Sequence, residues 1–177
     1  MAMAEDVFSF VVVADTQTDG SHDSINWDIF PALIESMNDH DPLYLLVAGD
    51  LVTGSSNDNQ IRSQWLDFSS AISEFDGTVY MVPGNHDVYS GASAFPIWRD
   101  VFPWLPTDDS PSGEEGVSYY VDHGATRFIS ITSDGVGSAG VSYAGLAWLD
   151  RVLSESDDFD HVFVMTHHPV TFGDNYH

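Results

Sequence analysis

The segments VFSFVVVA (7–14), LYLLVA (43–48), TVYMV (78–82) and HVFVMT (161–166) are nearly unbroken apolar runs. Short runs without polar alternation mark strands covered on both faces, as in a parallel sheet. Between them the period changes. INWDIFPALIESMN (25–38) spaces Ile25, Ile29, Leu33 and Ile34 helically behind Ser24 as N-cap, and QIRSQWLDFSSAISEF (60–75) sets Ile61, Trp65, Phe68 and Ile72 on one face. Strand, helix, strand, helix, strand predicts a βαβαβ unit with right-handed crossovers.

The second half reads differently. FPIWRDVFPWLPTDDSPSGEEG (95–116) mixes proline, glycine and acids, which predicts a surface loop with one helical turn. SYYVDHGATRFISITS (118–133) predicts a hairpin turning at His123 to Ala125, and YAGLAWLDRVLSES (143–156) a third long helix. With no internal repeat, low-complexity tract or linker, residues 1–177 are expected to form one α/β domain.

Composition narrows the chemistry. The chain has no cysteine, so disulfides and thiolate metal sites are excluded. Its 28 acidic residues face four arginines and no lysine, a formal charge of −24 that argues against nucleic acid as a tight partner. The acids are scattered over every segment, which points to a solvated coat suited to concentrated salt rather than to a local patch for cations or a basic partner. No apolar stretch approaches the roughly 18 residues of a membrane span, and MAMAED lacks a basic leader, so a cytoplasmic protein is expected.

In open α/β sheets, ligands bind at the carboxyl ends of the strands. Here the first strand ends in ADTQ (Asp15, Gln17), the second in AGDLVTG (Asp50), the third in PGNHD (Asn85, His86, Asp87) and the last in THHP (His167, His168). A single strand-end Asp usually caps a turn. Four ends presenting carboxylate, amide and imidazole groups together are better explained by a shared site, with Gly49 and Gly84 allowing close approach. Such donors suit Mn, Fe, Zn or Co without selecting among them.

D-x-Q, GDLVT, GNHD and HHP, in that order, resemble the calcineurin-like metallophosphoesterases, whose pattern is D-x-H, G-D-x-x, G-N-H-[DE], a lone histidine and G-H-x-H. The resemblance implies a layered α-β-β-α sandwich and two divalent metal ions. It also implies hydrolysis of a phosphomonoester or phosphodiester, in a small molecule or nucleotide, by a water that the metals activate. Carried over, Asp15 would bind the first metal, Asp50 would bridge both, and Asn85 and His167 would bind the second. Gln17 stands where the family more often has histidine and ranks below Asp15 as a ligand; D-x-Q also differs from the D-x-G of purple acid phosphatases. His86 would face the substrate, with Asp87 fixing its tautomer. His22, in TDGSHDS after the first strand, and His168 are candidate substrate contacts. His40, His123 and His161 are read as non-ligands; for Asp134, in TSDG, an approach to the site and a turn role are both open, and the turn role is preferred. The sequence stops at THHPVTFGDNYH with no G-H-x-H, for which truncation is the preferred account. The others are a short protein that fills those positions otherwise and a degenerate site. They leave two expectations open: a second sheet that is incomplete or covered by a second copy, and a catalytically impaired metal-binding or interaction module.

Overall fold

A computed structural model describes residues 7–18, 24–135 and 138–169. Strands β1 (Phe10–Val13), β2 (Tyr44–Ala48) and β3 (Thr78–Val82) form a parallel sheet in that order. Strands β4 (Tyr119–His123) and β5 (Thr126–Ser130) form the expected hairpin, with His123 opposite Thr126. A short ribbon, β6 (Asp134–Gly135) and β7 (Ser138–Ala139), follows, and β8 (His161–Met165) then joins β5 in parallel.

Strand alternation divides the core. In β2, Leu45 and Val47 face helices α1 (Phe30–Asn38), α2 (Asp58–Ile72) and α3 (Ala94–Val101), whereas Tyr44 and Leu46 pack against Phe128 of β5. On the far side of the second sheet, helix α4 (Tyr143–Ser154) sets Trp148 and Val152 against Ile129 and Ile131. The layers therefore run helices, sheet, sheet, helix. This is why β2 reads as a continuous apolar run: helices cover one face and the other sheet covers the opposite one.

Three expectations need correction. Helix α1 begins at Phe30 rather than near residue 25, because Pro31 lacks an N–H and its ring would clash inside a helix, so it is accommodated only in the first turn. Its buried face is Phe30, Ile34 and Met37. Ile29 is 61% exposed, and Ser24 does not cap the helix but donates its hydroxyl to Asp67 Oδ2 at 2.8 Å. Secondly, α3 is a full helix rather than one turn. Ala94, Phe95, Ile97, Trp98 and Val101 are all buried, and Pro96 sits in the first turn, where no N–H partner is needed. Thirdly, β1 and β8 are not covered on all sides. They are edge strands that face each other across the sandwich, the Phe10 and Phe163 rings 5.1 Å apart, with Val12 56% and Val164 46% exposed. A cavity of about 270 Å³ between the sheets is lined there by Phe10, Val12, Leu46, Phe128 and Met165.

All four arginines are paired with carboxylates: Arg62 with Asp100, Arg99 with Glu115, Arg127 with Asp122, and Arg151 with Asp109 and Glu155. Arg127 is the buried one. Its guanidinium meets Asp122 through two bonds of 2.7 and 2.8 Å, donates to Ser156 Oγ at 3.1 Å, and lies 4.3 Å from the ring centroids of Tyr120 and Phe159. Lysine offers neither the fork nor the plane. Arg127→Lys is expected to lower stability by about 1–3 kcal/mol, read as a lower urea midpoint at unchanged slope. An unchanged midpoint would show that this clamp contributes nothing. Among the described residues no helix is long and apolar enough to cross a membrane.

Candidate metal centre

Parallel strands in register finish at one level, and the chain places donors just beyond them. Asp15, Asp50 and His167 each lie two residues past the end of β1, β2 and β8. One ligand atom from each of the three falls within 4.8 Å of the others. Asp15 and Asp50 both adopt left-handed backbone conformations, φ 56° and 51°. Such residues cost about 1–3 kcal/mol and persist where the surroundings over-determine them. Here the Asp15 N–H donates to the Gly49 carbonyl at 3.0 Å, and Asp50 Oδ1 accepts the His86 backbone N–H at 2.9 Å.

His167 is set by its neighbours. Its Nδ1 lies 2.8 Å from the Ala48 carbonyl, which accepts only, so the ring proton belongs on Nδ1. Nε2 is then a bare lone pair, 3.2 Å from Asn85 Oδ1 and 3.5 Å from Asp50 Oδ1. Gln17 donates its Nε2 to Asp50 Oδ2 at 3.3 Å, while its Oε1 is buried without a partner among the described residues. Lone pairs and carboxylates thus converge with no arginine or lysine among them. Asp15 is exposed, but the buried Asp50 carboxylate and the His167 lone pair face one another, which is costly unless a cation stands between them, and oxygen plus imidazole donors suit a divalent ion. Asp15, Gln17, Asp50, Asn85 and His167 therefore fit a metal-binding role.

The approach is close enough to require glycine twice. A Cβ on Gly84 would stand 2.3 Å from Asp50 Oδ1, and one on Gly49 would stand 2.6 Å from His167 Nδ1. Gly49 also holds φ at +86°, a region that L side chains rarely adopt.

His86 lies beside this group, its Nε2 3.9 Å from Asp50 Oδ2. The expected partner for its other nitrogen was Asp87, and this is corrected by the structure: Nδ1 donates to the Thr53 carbonyl at 2.7 Å. Asp87 points the other way and is fully buried. Its Oδ2 accepts the Gly84 and Leu51 amides at 2.9 and 3.2 Å, and its Oδ1 accepts the Trp65 indole N–H at 3.2 Å. Burial pushes the Asp87 carboxyl up to about 7, against the pull of those three donors. Its work is to hold the loop that carries Asn85 and His86. GNHD taken alone contains no sign of Thr53, thirty-three residues away from His86.

His168 borders His167, with ring centroids 4.9 Å apart, and its Nε2 meets Asp134 Oδ1 at 2.9 Å. Asp134, read as a turn residue from the Asp-Gly pair, is 3% exposed and takes part in this contact. His22 lies outside the described residues.

Residues 8–177 match the family model for calcineurin-like phosphoesterases. Among solved structures, the chain is similar to a dimetal phosphatase from Danio rerio, at 18% identity and TM-score 0.69, over 93% of this chain and 71% of that one. It is also similar to a purple acid phosphatase from yellow lupin (Lupinus luteus) seeds, at 16% identity and TM-score 0.62, over 88% of this chain and 29% of that one. A third likeness, to a protein of Thermus thermophilus, has 11% identity and TM-score 0.51, over 89% and 66% of the two chains. At these identities the structures speak for the fold. No curated protein matches the chain.

Proposed function

The chain belongs to the calcineurin-like phosphoesterase family, whose members are metal-dependent phosphoesterases, and from that premise we propose that it hydrolyses a phosphomonoester or phosphodiester of a small molecule or nucleotide at a dinuclear site. The observation that carries this reading is the convergence of Asp15, Asp50 and His167 donor atoms within 4.8 Å, with the Asn85 amide oxygen on the same side.

Asp15 and Gln17 would hold the first ion, Asp50 would be shared by both, and Asn85 and His167 would hold the second. Two divalent cations, of Mn, Fe, Zn or Co, supply positive charge that acidifies a bound water and offsets charge on the phosphate oxygens. The chain's own residues do the rest. The Ala48 carbonyl keeps a proton off the His167 atom that faces the site. The Thr53 carbonyl fixes His86 so that Nε2 faces outward, where it meets a phosphate oxygen or the leaving oxygen. With every arginine paired elsewhere, His86 is the partly exposed side chain best placed to donate there, which it does from Nε2 in the doubly protonated form, since its Nδ1–H is already given to Thr53.

Metal content and turnover test the proposal together. Two metals per chain and Mn-stimulated hydrolysis of an aryl phosphodiester support it. At most one loosely held metal and no turnover would favour a binding module. His86→Ala is expected to keep both metals while losing roughly 10²- to 10⁴-fold in turnover, the range for a positioned proton donor. Wild-type turnover in this variant would remove His86 from the chemistry.

A further inference from the structure

The pair formed by Asp134 and His168 is not accounted for by metal binding or by the fold. The His168 backbone N–H is already tied to Ser133 Oγ at 3.0 Å, and the Ile131 N–H to the Met165 carbonyl at 3.0 Å, so this stretch is fastened to its neighbour without the imidazole. Yet the imidazole is held as well. Asp134 Oδ1 takes His168 Nε2 at 2.9 Å, and Asp134 Oδ2 takes the Ser133 hydroxyl at 3.2 Å. The carboxylate is 3% exposed, whereas the His168 side chain is 42% exposed. A buried acceptor thus fixes a partly exposed ring, with Nδ1 making no hydrogen bond among the described residues. The ring stands where the metal donors end and the inter-sheet cavity begins: it borders His167 on one side and lines the cavity, with Thr166 and Pro169, on the other.

We propose that His168 contacts the substrate through Nδ1, which accepts a hydrogen bond from a substrate hydroxyl or a protonated phosphate oxygen, and that Asp134 is its positioning residue, fixing the ring by accepting the Nε2–H. The proposal rests on the phosphoesterase reading and adds to it a second substrate-facing imidazole, opposite in tautomer to His86. A carboxylate behind a histidine sets which nitrogen carries the proton and where the ring points. Without it, the ring of His168 would rotate and share its proton between both nitrogens.

The test uses zinc-loaded protein with ¹⁵N-labelled histidine, titrated with inorganic phosphate, alongside steady-state kinetics. In the wild type, His168 is expected to show a single Nε2–H tautomer, and its Nδ1 resonance should move as phosphate binds. In Asp134→Asn the tautomer signature should blur, and kcat/KM should fall roughly 10- to 100-fold, the cost of losing such a partner. Bound metal should be unchanged. His168→Ala, on a partly exposed side chain, should show the same loss with both metals retained, which keeps the test open if the Asp134 variant does not fold. Metal loss in His168→Ala, phosphate binding that leaves His168 Nδ1 unmoved, or wild-type kinetics in both variants would each overturn the proposal. Wild-type protein that binds phosphate at His168 but turns nothing over would instead count against the phosphoesterase reading alone.

Discussion

Asp50→Asn is expected to lose tightly held divalent metal and phosphoesterase turnover together, while the fold survives. Asp50 is 4% exposed, contacts Gln17, His86 and His167, and is the carboxylate proposed above to be shared by both ions. Losing its charge should reduce activity by more than the roughly 10- to 100-fold that a partner behind a ligand is worth. The fold should persist for three reasons. Asparagine tolerates the left-handed backbone at this position. Its oxygen still accepts the His86 N–H. Its new NH₂ can be met by Gln17 Oε1, the buried oxygen without a partner among the described residues, once that amide turns over. Metal analysis, turnover and thermal melting of the metal-free protein check the three parts. A variant that still held two metals would show that Asp50 is not the shared ligand.

The second large effect is on stability. Asp87→Ala should strand the Gly84 and Leu51 amides and the Trp65 indole N–H, all facing a site from which water is excluded. Each orphaned donor costs about 1–3 kcal/mol, and the cavity left behind adds to this. A total loss of about 3 kcal/mol or more follows, a fall of roughly 6–12 °C in Tm for a domain of this size. Trp65 also packs edge-on against Trp98, ring centroids 5.4 Å apart, so the disturbance should reach α3. A melting temperature within a degree or two of wild type would show that Asp87 is not the anchor of the GNHD loop. In the metal-free protein the His86 tautomer should be unaltered, because Thr53 rather than Asp87 sets it.

These two residues show how differently strand-end carboxylates could be read. Asn85, Asp50, Asp15 and His167 were legible because strand ends in a parallel sheet share a level, so polar residues placed just past each apolar run must meet. The role of Asp87 was not legible. Its three partners come from residues 51, 65 and 84, and only packing decides whether a carboxylate turns toward the ring beside it or toward a tryptophan beneath it. The partner of Asp134 was not legible for a related reason. An Asp-Gly pair signals a turn, and nothing in the local sequence tells that His168, thirty-four residues on, ends within 2.9 Å.

The helices divide along the same line. Ile61, Trp65, Phe68 and Ile72 are all buried as their spacing requires, since a long periodic face has one way to meet a sheet. The start of α1 turned on Pro31, a signal present in the sequence but outweighed in the reading by the isoleucine spacing. α3 was obscured by the proline and acidic residues that follow it.

By itself, then, the order of apolar runs determined the α/β class and placed polar residues at the strand ends, because these depend on period and position along the chain, while the motifs there carried the resemblance to the family. Tertiary structure alone decided which nitrogen of His86, His167 and His168 carries the proton and which carboxylate stands behind which group. It also decided that β1 and β8 leave an open apolar seam between the sheets. Those outcomes depend on hydrogen bonds and contacts between residues distant in sequence, whose direction no local pattern encodes.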